Sequence, residues 1–159
     1  MKKVLIAYYS FGETKSVADR INKILEKEMS SQIFLIEDKK NYSIKDQFKK
    51  EKELELKNPV PSMKEIDYLF IGSPIVSFSS APIVNVFLKN LNQKELSNKK
   101  IFLFATGIGL PGNTIKKMRG ILSMNGIDVE KDRVFSSIFR FDEKKLKEVD
   151  EFIKETIKK

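Results

Sequence analysis

Cysteine, histidine and tryptophan are absent from this chain of 159 residues. Without cysteine there is no disulfide and no thiol nucleophile. Without histidine neither a Ser-His-acid triad nor a zinc site of the usual Cys/His type can be assembled. General acid–base chemistry near neutral pH would fall to a perturbed carboxylate or lysine. A bound cofactor is the more economical source of any chemistry, and no side chain then has to act as acid or base. Long apolar runs are also missing, and acids are scattered throughout, so no membrane span and no membrane partner are expected. The run Val4 to Tyr9, behind Met-Lys-Lys, stops in a turn after six residues. That is too short for the apolar region of a signal peptide; it reads as a buried first strand of a cytoplasmic protein.

Arginine is scarce. Only Arg20, Arg119, Arg133 and Arg140 stand among 30 basic residues, and 22 acids are interspersed with them. The net charge of +8 therefore comes from dispersed lysine. Nucleic-acid surfaces cluster Arg and Lys with interleaved aromatics, and that pattern is missing, so no nucleic-acid partner is expected. An apolar content of 41% in a chain of this length suffices for one full core.

What is present is an alternation of apolar runs and amphipathic segments. Residues 3–9, 32–36, 68–72 and 101–105 read as strands, and a fifth lies within 127–139, around Val134 to Ile138. Helical spacing follows the first run (Val17, Ala18, Ile21, Ile24, Leu25, Met29) and the third (Ile83, Val84, Phe87, Leu88, Leu91, behind Pro82). It recurs after the fourth (Ile115, Met118, Ile121, Leu122, stopped by Asn125-Gly126) and from about Asp142 to the end (Leu146, Val149, Phe152, Ile153, Ile157). Residues 37–65 are charged, with Ile44, Phe48, Leu54 and Leu56 as the apolar exceptions. They read as a solvated helix, capped by Ser43 and ended by Asn58-Pro59-Val60-Pro61. Phe48, Phe102, Phe104 and Met118 are packing residues on this reading. Five strands alternating with five helices predict an α/β three-layer sandwich, a parallel sheet with helices on both faces, in one domain spanning 1–159.

Ligands of such sheets bind beyond the carboxyl ends of the strands. Three loops there, Ser10–Thr14, Ser73–Ser80 and Thr106–Gly112, are rich in Gly, Ser and Thr. The first has two readings. Ser10-x-x-Glu13 ahead of an apolar-periodic helix is a capping box, in which serine and glutamate satisfy the first amides. An anionic phosphate wants the same amides and the same positive helix end. In the second, Ser77-Phe78-Ser79-Ser80 can serve as the start of a helix with Ser80 as its cap. The third contains a literal G-x-G-x-x-G, Gly107 to Gly112, but it follows the fourth strand rather than the first. Pro111 also removes an amide that a dinucleotide pyrophosphate would need.

Tyr8-Tyr9-Ser10 with Gly12-x-Thr14 resembles the phosphate loop of flavodoxins. Gly72-Ser73-Pro74-Ile75 with Ala81-Pro82 resembles the second flavin loop of short-chain flavodoxin-family proteins, and Phe104-Ala105-Thr106-Gly107-x-Gly109 resembles their third. The resemblance spans essentially the whole chain. It implies a five-stranded sheet in the order 2-1-3-4-5 and a non-covalent FMN. Carried over by position, Ser10, Gly12 and Thr14 would hold the phosphate with the backbone amides of Phe11, Gly12, Glu13, Thr14 and Lys15. Ser73, Pro74, Ile75, Val76, Ser77 and Phe78 would cover one side of the isoalloxazine. Thr106, Gly107 and Gly109 would meet its pyrimidine end and the ribityl chain.

The departures matter too. The family's first loop carries one more hydroxyl residue, and its second usually carries an aromatic, often tryptophan, where this chain has Val76 and Ser77 with Phe78 the only nearby ring. Flavodoxins tend to be acidic, whereas this chain is basic, which is the wrong sign for their basic partners. The resemblance implies a cytoplasmic electron carrier served by a redox partner protein, favoured over a stand-alone NAD(P)H-dependent FMN or quinone reductase acting on small molecules. A third reading is a flavodoxin fold that has lost FMN and acts as a binding module.

Overall fold

The computed structural model describes residues 1–40, 49–138 and 141–157. The strands are β1 (Lys3–Tyr8), β2 (Ser30–Leu35), β3 (Tyr68–Val76), β4 (Ser79–Ser80), β5 (Lys100–Ile108) and β6 (Lys131–Ser137). The helices are α1 (Thr14–Leu25), α2 (Pro82–Lys89), α3 (Gln93–Leu96), α4 (Thr114–Met124) and α5 (Glu143–Ile157). Five strands form a parallel sheet in the order β2-β1-β3-β5-β6, and β4 folds back antiparallel on β3. Counting the parallel strands alone, this is the expected 2-1-3-4-5 order.

Because strand side chains alternate between faces, the sheet builds two cores. Leu5, Ala7, Leu69, Ile71 and Leu103 face α2 and α4, meeting Ile83, Val84, Phe87, Met118 and Leu122. Val4, Ile6, Tyr8, Phe70, Phe102 and Phe104 face α1 and α5, meeting Val17, Ala18, Ile21, Val149, Phe152 and Ile153. Central strands buried on both sides read as unbroken apolar runs, which is why they were legible. Gly72 interrupts β3 for a steric reason. A Cβ there would lie 2.2 Å from the Phe104 ring, in register on the neighbouring strand. Across the second core, Arg20 on α1 grips Asp150 on α5 through Nε (2.7 Å) and Nη2 (2.6 Å).

Several expectations need correction. The described part of 37–65 contains no α-helix: it holds one 3-10 turn, Glu51–Glu53, and a bridge between Asp38 and Leu56. The Ser43 cap, Ile44 and Phe48 lie outside the described residues. The charged side chains there satisfy short turns instead, as where Asp38 accepts from the amides of Lys40 and Glu55. The third and fourth predicted strands are each longer, running to Val76 and Ile108, because parallel pairing carries the backbone past the apolar run. The last strand is Lys131–Ser137, earlier than Val134–Ile138, because β5 sets its register. Ser80 is not the cap of α2; Ala81 stands there, and its amide donates to Ser73 Oγ at 2.9 Å. The short α3 has no signature in the sequence, as four residues are too few for a periodic pattern.

Candidate functional site

The carboxyl ends of β1, β3 and β5 open into three turns, two of which share one local design. At the start of α1 the chain runs Phe11-Gly12-Glu13-Thr14; at the start of α4 it runs Pro111-Gly112-Asn113-Thr114. Both glycines have φ of +57°, a region that residues with a Cβ rarely adopt. Each threonine hydroxyl donates to the carbonyl three residues back, Thr14 to Phe11 at 2.9 Å and Thr114 to Pro111 at 2.8 Å. The turns therefore point their first helical amides in the same sense.

They differ in what those amides meet. At α4, the Asn113 amide donates to the Phe78 carbonyl at 2.8 Å. At α1, the equivalent Glu13 amide meets no acceptor among the described residues; those of Gly12, Lys15 and Ser16 meet none either, as is true of the matching Gly112, Ile115 and Lys116 at α4. The capping box is not formed, since α1 has Glu13 itself at its N-cap with no side-chain cap bond. Ser10 is exposed, and Lys15 pairs with Asp19 at the helix surface. A positive helix end with idle donors and open space around Gly12 is a ready anion site.

Thr14 is buried and braces this turn rather than facing outward. Its proton goes to the Phe11 carbonyl, so its oxygen accepts from Thr106 Oγ1 at 2.7 Å, tying the first turn to β5. Stacked rings of Tyr9 and Phe11, 6.1 Å apart, stiffen the approach. Buried Tyr8 holds its proton, because burial and the nearby Asp19 charge push its pKa up.

The third turn is a tight hairpin. Val76 pairs with Ser79, leaving Ser77 and Phe78 as a two-residue loop with φ of +47° and +62°. This is the region that type I′ turns fill with Asn-Gly, and a residue with a Cβ costs about 1–2 kcal/mol there. Such strain persists where the surroundings over-determine it, and it concentrates at functional sites. Here the backbone of Phe78 is clamped against Gly112, where a Cβ would lie 2.1 Å from the Phe78 carbonyl oxygen. The Phe78 ring stays 63% exposed, and Ile108 (61%), Leu110 (73%) and Ile138 (76%) stand exposed at the ends of β5 and β6.

No protein-family model matches the chain, and no curated protein matches it in sequence. Solved structures do match it. A Bacteroides uniformis protein assigned as a flavoprotein superposes with a TM-score of 0.74 at 23% identity, covering 96% of this chain and 98% of the other. A flavodoxin from the domain Archaea gives 0.59 at 14% identity, with 94% and 92% covered. A flavoprotein from Lactobacillus acidophilus, solved in complex with FMN, gives 0.57 at 24% identity, with 84% and 93% covered.

The chain has the flavodoxin-like fold.

Within that fold the fifteen residues expected at the site divide into three groups. Ser10, Phe11, Gly12, Glu13, Thr14 and Lys15 form the open turn at α1. Ser73, Pro74 and Val76 are buried in β3 and Ile75 is half-buried, so of the second loop Ser77 and Phe78 reach the surface. Ser73 is already engaged, donating to the Pro74 carbonyl at 2.8 Å while accepting from Ala81. Thr106 braces the first turn, Gly107 packs against Ile75, and Gly109 (φ +93°) lies exposed with open space about it.

Three participants were missed in the sequence. Gly112 reads as the end of the glycine-rich loop and Asn113 is not singled out, although Pro-Gly-Asn-Thr repeats the x-Gly-x-Thr of the first turn and can be matched to it. Ser137 ends β6 in register with Ile108, and its buried Oγ has no hydrogen-bond partner among the described residues. It shares a sheet face with Phe135, and hence with Thr106 and the start of α1. A serine pair closing an edge strand was its only signal. Among the described residues, no helix is long and apolar enough to cross a membrane.

Proposed function

We propose that this chain binds FMN non-covalently at the carboxyl ends of β1, β3 and β5 and carries electrons in the cytoplasm. The observation that carries the reading is the contrast between twin turns. In the α4 turn the Asn113 amide is met by a carbonyl oxygen of the protein itself, while the equivalent Glu13 amide at α1 meets no acceptor among the described residues. An anionic oxygen is the natural complement of the second. The residues fit the group in other respects. Gly12 and Gly109 leave room for close backbone approach, and the Ser137 hydroxyl, which has no partner among the described residues, adds a polar group at the same end of the sheet. The fold is also one that a protein solved with FMN shares.

The amides of Gly12, Glu13 and Lys15, with the Ser10 hydroxyl, would hold the phosphate. Thr14 and Thr106 keep that turn in shape. Phe78 would lie along one side of the ring system, and Gly109 would let backbone donors reach its polar edge. The bound flavin supplies the reversible electron chemistry, and the protein sets its surroundings. The test is a titration of the purified chain with FMN and with riboflavin, followed by flavin fluorescence. Tight quenching by FMN and at least ~100-fold weaker binding of riboflavin are expected, since the idle amides address the phosphate. Colourless protein that quenches neither flavin would end the proposal.

A second reading, an NAD(P)H-dependent reductase of quinone-like acceptors, draws on the exposure of Phe78. One ring at 63% exposure leaves room for a second substrate beside the flavin. Steady-state NAD(P)H oxidation with a quinone, in the absence of any partner protein, would favour the reductase. No turnover under those conditions favours the carrier.

A further inference from the structure

The strained hairpin is held from outside as well as from Gly112. Ser80, the last residue of β4, is 3% exposed, and its hydroxyl donates to Asn85 Oδ1 at 2.6 Å. Asn85, on α2, is fully buried and donates through Nδ2 to Glu51 Oε1 at 2.9 Å. Glu51 belongs to the 3-10 turn between β2 and β3, and its carboxylate also binds Lys89 of α2 and lies 3.6 Å from Lys117 of α4. Burial opposes the charge, but the hydrogen bonds from Lys89 and Asn85 prevail and keep the carboxyl below its ordinary range. The carbonyl and the amide of the buried asparagine side chain are thus each paired with a group whose own orientation is fixed. Lys117 lies one turn along α4 from Asn113, and the Lys117 amide donates to the Asn113 carbonyl at 2.8 Å. The network therefore joins β4, α2 and the helix whose first turn grips the Phe78 carbonyl.

We propose that the Ser80–Asn85–Glu51 chain is a positioning device that holds the Ser77-Phe78 turn in its left-handed conformation, and that flavin affinity depends on it through Phe78. The second half rests on the FMN reading above; the first half does not. Asn85 and Glu51 touch no proposed ligand group. They act on the β4 side of the hairpin, while Gly112 and Asn113 act on its tip. A β-strand of two residues has too few ladder bonds to keep two residues with Cβ atoms at positive φ unaided.

The test reverses the direction of one buried hydrogen bond. In Asn85→Asp, the introduced carboxylate still accepts from Ser80 but faces Glu51 across a buried contact, so the link breaks by like-charge repulsion. Adding Glu51→Gln restores it, because the glutamine amide donates to the carboxylate introduced at position 85. Two readouts are taken on each variant: amide hydrogen exchange at Ser79 and Asn113, with the amides of β1 as reference, and FMN affinity by fluorescence quenching. We expect Asn85→Asp to speed exchange at Ser79 and Asn113 at least tenfold over β1 and to weaken FMN binding at least tenfold. The pair N85D/E51Q should return both to within about threefold of the wild type. Unchanged exchange in N85D, or a loss that E51Q does not rescue, would overturn the positioning role. Faster exchange with unchanged FMN affinity would overturn its link to the flavin. If the wild type binds no FMN, the functional reading fails, while the exchange measurements still decide what holds the hairpin.

Discussion

The turns that open α1 and α4 are nearly the same piece of chain. Both place a glycine at φ +57°, then one polar residue, then a threonine whose hydroxyl closes on the carbonyl behind it. The N-cap amide of one, Asn113, is met internally by the Phe78 carbonyl; that of the other, Glu13, meets no acceptor among the described residues. Local geometry thus does not mark a binding site. What marks it is whether the rest of the fold supplies the complement. In α4 a strained hairpin has been bent to fill the place, and in α1 nothing among the described residues does so.

The sharpest way to break this contrast is to add the same methyl group at both glycines. Gly112→Ala meets the Phe78 carbonyl at 2.1 Å as well as an unfavourable φ, so about 3 kcal/mol of stability should be lost in urea denaturation. Gly12→Ala meets no atom within 4 Å and should cost only about 1 kcal/mol, while weakening FMN more than tenfold. Equal losses at the two positions would mean that the turns are not distinguished by what fills them.

Next in size is the hairpin itself. Replacing Ser77-Phe78 by Asn-Gly (S77N/F78G) relieves two positive-φ residues and should stabilise the free protein by about 1–2 kcal/mol. The same change should weaken FMN binding by removing the ring, so a melting curve and a titration would move in opposite directions. If both improve, the strain serves no ligand.

Arg20 and Asp150 supply a comparison away from either turn, at the flank of α1. The hydrogen bonds from Arg20 come first among the causes that keep the Asp150 carboxyl below its ordinary range. A group with a depressed folded pKa contributes stability fully above its unfolded value, and loses it as pH falls through the folded one. Asp150→Asn should therefore cost about 1 kcal/mol near neutral pH, and the gap from wild type should close below about pH 4. Denaturation curves at pH 7 and pH 3 would show it, with FMN affinity unmoved at pH 7. The smallest effect is expected from Glu13→Gln. Removing a negative charge from the open helix end should cost a few tenths of a kcal/mol and tighten FMN about threefold. A loss of affinity would mean that Glu13 assists the ligand rather than competing with it.

Much of this was legible in the residues. Apolar runs such as Tyr68–Ile71 and Ile101–Ala105 could only be central strands, and the stripes Val17-Ala18-Ile21 and Val149-Phe152-Ile153 could only cover them. Pro82 marked the start of a helix. The stretch 37–65 misled because charge at helical spacing satisfies a solvated helix and a set of turns equally well. The hairpin at Ser77-Phe78 was illegible for a different reason. Neither residue favours positive φ, so local preference argued against the conformation that long-range contacts impose.

The alternation of apolar runs, and with it the layered parallel sheet, was determined by sequence alone, since burial of a periodic pattern has few solutions. So was the glycine-and-threonine chemistry of the two helix starts. Only the tertiary structure decided which of them is closed. Ser10 and Glu13 could have capped α1, but Thr106, 92 residues away in the chain, holds Thr14 in a turn that makes Glu13 itself the N-cap and leaves the Glu13 amide with no acceptor among the described residues. A choice between a cap and an open helix end is worth about 1 kcal/mol locally, and one buried contact from a distant strand is enough to settle it.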